Sequence, residues 1–118
     1  ESSEGKALLA VGGVIGELEK HSSRPWRLAE IADHARMSES NLSRVFREAT
    51  GQSPIEYLIH LRLQKAIPLL RHSDWSITEI AYRVGFNDSN YFSRQFKQVT
   101  GMTPSACRKG AAGWAGRQ

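Results

Sequence analysis

A chain of 118 residues with formal net charge +4 and a pI near 9.6 has room for one compact domain, or two very small ones sharing a helix. Its single cysteine, Cys107, excludes an internal disulfide and a cysteine-rich metal site, and fits a reducing cytosol. No apolar run approaches a membrane span and no signal peptide is visible, so the basic balance points to an anionic partner rather than to membrane insertion. The chain opens on Glu1 rather than Met, as a fragment of a longer protein would.

Residues 6–20 read as an opening helix with Leu8, Leu9, Ile15 and Leu18 as its apolar stripe, although Gly12 and Gly13 weaken it. His21–Pro25 reads as a loop. A short helix follows, with Leu28, Ile31, Ala32 and Ala35 at helical spacing, but Arg27 stands where a capping residue is wanted. Arg36 occupies the turn, where a left-handed φ would cost about 1 kcal/mol or more for a residue other than glycine. Ser38 caps the next helix, predicted near 39–49, whose Leu42, Val45, Phe46 and Ala49 form a core-facing stripe. Ser53-Pro54 then caps and starts a longer helix, with Ile55, Leu58, Ile59, Arg62, Ala66 and Leu70 at near-helical spacing. Pro68, which cannot donate a backbone hydrogen bond, is expected to kink or end it.

Ser76-Ile77-Thr78-Glu79 has the form of a capping box, and Ile77, Ile80, Ala81 and Val84 make the stripe behind it. Gly85 suits a left-handed turn, Phe86 anchors that turn in the core, and Asn87 or Asp88 caps a helix near 89–99. Phe92, Phe96 and Val99 are its predicted core face, and Gly101 stops it. One last short helix is expected after Pro104, then a frayed tail over 110–118.

The two halves are one unit written twice. With an offset of 49, Trp26 meets Trp75, Glu30 meets Glu79, Ile31 meets Ile80 and Ala32 meets Ala81. After one inserted residue the offset is 50. Ser43-Arg44 then meets Ser93-Arg94, Phe46 meets Phe96, Thr50-Gly51 meets Thr100-Gly101, and Pro54 meets Pro104. Each unit is a short helix, a tight turn and a second helix, the helix-turn-helix pattern. The chain therefore reads as all-α, with about seven helices: a first helix-turn-helix subdomain over 6–53, a linker helix over 54–71 and a second subdomain over 72–109.

The outward faces of the second helices carry Ser40, Ser43, Arg44 and Arg47 in one copy and Asn90, Ser93, Arg94 and Lys97 in the other. None of these eight residues is acidic, whereas a merely solvated face usually mixes signs. The chemistry suits duplex DNA: a helix fits the major groove, Arg bonds guanine with both arms of its fork, and Ser suits phosphates. Two recognition helices on one linker would lie about one DNA turn apart, roughly 34 Å.

These residues also carry a resemblance. Glu79-Ile80-Ala81, Gly85-Phe86, Tyr91-Phe92-Ser93-Arg94, Phe96-Lys97, Gly101 and Thr103-Pro104 resemble the signature of the AraC/XylS family of bacterial transcription regulators. Leu28–Ala32, Leu42–Phe46, Tyr57-Leu58, Arg62-Leu63, Ala66 and Leu69-Leu70 match its first half. The resemblance spans about 14–108. It implies a seven-helix domain that places its two units in adjacent major grooves. It assigns DNA contacts to Ser40, Asn41, Ser43, Arg44 and Arg47, and to Asn90, Tyr91, Ser93, Arg94 and Lys97. It further implies activation through RNA polymerase, as in most members, or repression, as in some, with a cytoplasmic location and a separate sensing or dimerising domain outside this stretch. Cys107 stands where an aromatic is usual, and Pro68 is unusual in the linker helix.

Other classes of function find less support. His21, His34, His60 and His72 are scattered and form no metal or acid–base spacing, so neither catalysis nor a cofactor is expected. Cys107 reads as a packing thiol, and Trp26 and Trp75 read as staples beside helix starts. A basic helical protein-interaction module is the alternative reading. RNA binding would call for stacking aromatics on a sheet, which the sequence does not indicate.

Overall fold

The computed structural model describes residues 2–110. Among these are seven helices and no strand: α1 (Ser2–Lys20), α2 (Leu28–Ala35), α3 (Glu39–Thr50), α4 (Pro54–His72), α5 (Ile77–Val84), α6 (Ser89–Thr100) and α7 (Pro104–Arg108). The all-α expectation holds. Most of the expected frayed tail, 111–118, lies outside the described residues. The chain divides into two compact units, and the division falls between Leu58 and Ile59, inside α4.

In the first unit α1 packs against α2 and α3. The core takes Val11, Val14 and Leu18 from α1, Ile31 and Ala32 from α2, Leu42, Val45 and Phe46 from α3, and Leu58 from α4. The apolar stripe expected for α1 is thus wrong in part. Leu8 and Leu9 are exposed, at 61% and 79%, and Ile15 is only half-buried. Val11, Val14 and Leu18, at i, i+3 and i+7, make the buried face instead. Ala49 is also exposed, because the stripe of α3 closes at Phe46. Trp26 is buried; its indole Nε1 donates to the His21 carbonyl at 2.9 Å and the His34 ring meets it edge-on. It is occupied by packing.

In the second unit Leu63, Ala66 and Leu70 of α4, Ile80, Ala81 and Val84 of α5, Phe86, Phe92, Phe96 and Cys107 are buried. Phe92 packs on both Phe86 and Phe96 with ring centroids 5.2 and 5.7 Å apart. Val99 is half-buried, less than expected. Arg108 donates to the carbonyls of Leu70 at 3.0 Å and Ser73 at 3.1 Å, satisfying backbone groups at and just beyond the C-terminal end of α4. The helix runs through Pro68 to His72 rather than ending there. Pro68 and Gln64, whose carbonyl loses its partner, are both exposed, and water can fill the gap.

The two turns are built alike. Phe86 N–H donates to the Ala81 carbonyl at 2.9 Å, and Met37 N–H to the Ala32 carbonyl at 3.0 Å. Between them stand Gly85 at φ 117° and Arg36 at φ 56°, so Arg36 does take the left-handed conformation foreseen for it. Helices α3 and α6 end alike too. Thr50 Oγ1 donates to the Phe46 carbonyl at 2.8 Å and Thr100 Oγ1 to the Phe96 carbonyl at 2.7 Å, each just before a left-handed glycine.

Candidate nucleic-acid interface

Each candidate helix starts at a side-chain cap. Ser38 Oγ accepts the Asn41 N–H at 3.1 Å, and Asp88 Oδ1 accepts the N–H groups of Asn90 at 2.9 Å and Tyr91 at 3.4 Å. The capping choice left open between Asn87 and Asp88 falls on Asp88. The preceding helix of the second unit begins at Ser76, whose Oγ accepts the Glu79 N–H at 3.0 Å. In the first unit Arg27 offers no acceptor. Glu30 instead takes the Arg27 N–H at 3.4 Å and pairs with Arg24 at 3.0 Å.

These caps fix the phase of α3 and α6, and with it the outward residues. Ser40, Arg44 and Arg47 are exposed and Asn41 and Ser43 half-exposed. Asn90, Tyr91, Arg94 and Lys97 are exposed and Ser93 half-exposed. All ten predicted contact residues thus reach the surface of their own unit, five on α3 and five on α6. An open groove lies beside α6, lined by Ile77, Ser93, Arg94, Lys97, Thr103 and Ser105, with no carboxylate among these.

The cations of the two helices have different surroundings. Arg44 donates to Asn41 Oδ1 at 2.6 Å and to both oxygens of Glu48 at 3.3 and 3.4 Å. Arg47 lies 3.3 Å from Glu56 Oε1. Glu56 also accepts the Ser53 N–H at 2.9 Å while Ser53 Oγ accepts the Glu56 N–H at 3.1 Å, a complete capping box at the start of α4. The Ser53 N–H, followed by the Arg47 charge, outweighs desolvation and holds the Glu56 carboxyl below the usual carboxylate range. In α6 the only described contact of Arg94 is with the Tyr91 ring, its guanidinium carbon 5.6 Å from the centroid. No acidic partner is described for Lys97. Glu48, four residues after Arg44, is where helical spacing puts a partner, whereas Glu56 comes from the next element. Ser53-x-x-Glu56 was the available signal for the box, and nothing local signals the reach of nine residues back to Arg47.

Two further aromatics sit beside cations. Arg83 stacks on the half-buried Trp75 at 3.5 Å, and Arg62 of α4 lies 5.7 Å from the Phe86 centroid, where burial lowers the guanidinium pKa. Trp75, like Trp26, is occupied by packing.

The chain is similar to known helix-turn-helix proteins. A family model described as a helix-turn-helix domain matches residues 31–110. The HTH-type transcriptional activator RhaS of Escherichia coli (strain K12 / DH10B) is 42% identical over 101 residues, which is 86% of this chain and 36% of the relative. The chain therefore spans about a third of the length of the curated relatives it matches. Among solved structures, the DNA-binding domain of AdpA, a global transcriptional factor crystallised with a target DNA, superposes with a TM-score of 0.80. It is 31% identical, over 85% of this chain and 90% of that one. A probable AraC family transcriptional regulator from Rhodopseudomonas palustris CGA009 gives a TM-score of 0.79 at 26% identity, over 87% of this chain and 97% of that one.

Proposed function

Since the chain belongs to the AraC/XylS family of helix-turn-helix regulators, we propose that it binds double-stranded DNA in a sequence-specific way and regulates transcription. The observation that carries this is the pair of capped helices α3 and α6, which hold short polar and cationic side chains outward at equivalent positions of two repeated units. Each enters a major groove of the same duplex. Ser40, Asn41, Ser43, Arg44 and Arg47 make the contacts of the first, and Asn90, Tyr91, Ser93, Arg94 and Lys97 those of the second. Arg44 and Arg94, one turn in from the helix start, face base edges. Arg47 and Lys97, a turn further on, meet the backbone. In this reading residues 6–53 and 72–109 are the two DNA-reading subdomains and 54–71 the helix that spaces them.

The activity is binding, with no enzymatic step and no cofactor. Activation through RNA polymerase, in the cytoplasm and under a sensing or dimerising domain elsewhere in the full protein, completes the proposal. It is supported by the activators among the relatives.

A mobility-shift titration against random duplex, single strand and RNA tests the core of it. Duplex should bind best, and affinity should fall by on the order of 10³ between 50 and 200 mM salt if about six phosphates are neutralised. A flat salt response would favour a protein partner, the alternative reading of a basic helical surface. Footprinting should show one monomer protecting an asymmetric site over two successive major grooves. A palindrome bound only by dimers would overturn the tandem arrangement.

A further inference from the structure

Neither arginine of α3 presents an unattended charge. Asn41 and Glu48 hold Arg44 along the helix, and Glu56 holds Arg47. At the equivalent positions of the second unit, offset by 50, the carboxylates are missing: Gln98 stands for Glu48 and Ala106 for Glu56. Across α3 two arginines face two glutamates, Glu39 and Glu48, for a net charge of zero. Across α6 Arg94 and Lys97 face none. Asp88 caps α6, but its carboxylate is engaged by the Asn90 and Tyr91 amides.

We propose that Glu48 determines specificity, competing with DNA phosphates for Arg44 so that this arginine engages only a duplex offering something better, while Glu56 tempers the backbone contact of Arg47 in any duplex. The inference rests on α3 being a DNA-recognition helix. A bare arginine gains at any phosphate, and phosphate contacts carry no sequence information. An arginine already bonded to a carboxylate exchanges one anion for another at a phosphate, with little net gain. The carboxylate also repels the phosphate that displaces it. Guanine O6 and N7 offer two bonds in the geometry of the guanidinium fork. That exchange is favourable only at the right base. The clasp thus lowers random binding more than cognate binding. The second unit, with no clasp, holds any duplex and supplies most of the sequence-independent affinity. A pair that only stabilised α3 would leave the ratio of cognate to random binding untouched.

The test uses the whole chain, with two probes: a duplex carrying the sequence that the wild-type chain enriches from a random pool, and the random pool itself. Glu48→Gln and Glu56→Gln should each raise affinity for the random pool by about two- to five-fold, the size of an exposed ion pair. In Glu48→Gln cognate affinity should change less, so the cognate-to-random ratio falls; in Glu56→Gln, where Arg47 meets the backbone of either duplex, both should rise alike. The gain should shrink as salt screens it. The converse variant, Gln98→Glu, places a carboxylate four residues after Arg94 and should lower random-pool affinity and raise the ratio. This arm decides the matter even if a first-unit variant folds poorly, which melting curves report. An unchanged ratio in both Glu48→Gln and Gln98→Glu overturns the inference. So does a loss of cognate affinity alone in Glu48→Gln, which would make Glu48 a base-reading residue. If the wild-type chain binds no duplex at all, the proposed function falls, a result distinct from either.

Discussion

Between Ser38 and Gly51, and again between Asp88 and Gly101, the chain builds the same object with different charge. Both helices have 12 residues, a side-chain N-cap, a threonine bonded back to its own helix and a left-handed glycine at the end. Both set the side chain of the third helical residue beneath an arginine at i+3: Asn41 under Arg44 and Tyr91 under Arg94. Around α3, however, lie Glu39, Glu48 and Glu56, with Glu4 of α1 in the groove beside Arg44. One groove beside α6 is lined by Ile77 and Pro104 together with hydroxyls and cations, and in the other the one carboxylate is the cap Asp88. Backbone and caps are what the repeat preserves, because they decide whether a unit folds. Surface charge is what it lets drift, because exposed pairs contribute little to folding. The charge difference therefore bears on binding, and the shared core on stability.

The largest expected effects fall on the shared part. Phe46 and Phe96 are equivalent, and each is at most 1% exposed. Truncating either to alanine should cost about 3–5 kcal/mol. If the two units are energetically separate, Phe46→Ala lowers a transition belonging to the first unit and leaves amide exchange in α5 and α6 protected, while Phe96→Ala does the reverse. Both variants abolishing protection throughout would show a single cooperative fold and would remove the basis for treating the units as two.

Smaller effects should separate the two outward faces. On the proposed roles, Arg94→Ala deletes a side chain with no described acidic partner, so cognate affinity should fall by the full worth of a base contact, about 1–3 kcal/mol, and random binding should fall with it. Arg44→Ala should cost less cognate affinity, because Glu48 already offsets part of that contact, but more of the cognate-to-random ratio. Neither should shift the melting temperature much, since the Arg44–Glu48 pair is more than half exposed on both sides. Selection from random duplex with each variant reports the altered base position. If Arg44→Ala melts far lower yet selects the same sequence, the residue is structural.

Several of these features were legible in the sequence and others were not, for separable reasons. Caps and turns are local. Ser38, Ser76, Gly85, Gly101 and the strain at Arg36 follow from a few neighbours, and the second copy supplied the template for reading the first. The α1 face was ambiguous, since apolar residues lie on two sides of that helix. Leu8 and Ile15 share one phase, and Val11, Val14 and Leu18 another. Which phase is buried depends on where α2 and α3 pack, a tertiary fact. Ala49 was read as core from its spacing alone, yet it lies beyond the last buried turn of α3. Helix α4 runs through Pro68 because the affected turn faces water. The outward residues followed from periodicity, but their partners did so only within one helix. Glu48 at i+4 could be seen, whereas Glu56 reaches Arg47 from the next element.

The smallest expected effects belong to the turns, where the two units differ by a single residue in otherwise equal hydrogen bonding. Arg36 sits at φ 56° and ψ 46°, inside the left-handed region that a side chain enters at a cost of about 1 kcal/mol. Gly85 sits at φ 117°, beyond that region and open in practice only to glycine. The exchange is therefore not symmetrical. Arg36→Gly removes the Cβ strain but adds chain entropy to the unfolded state, which partly offsets it, so a gain of about 0.5 kcal/mol is expected. Gly85→Arg forces a Cβ into a conformation more strained than the one Arg36 tolerates. Unless the turn relaxes by some tens of degrees towards the Arg36 geometry, the loss should exceed about 1–2 kcal/mol. Urea midpoints at constant slope measure both. Opposite signs, with the larger magnitude in the second unit, would show that the turns share bonding but not backbone geometry. Equal and opposite shifts would mean that the difference of about 60° in φ between Arg36 and Gly85 carries no energy, and that the first unit has simply lost a glycine.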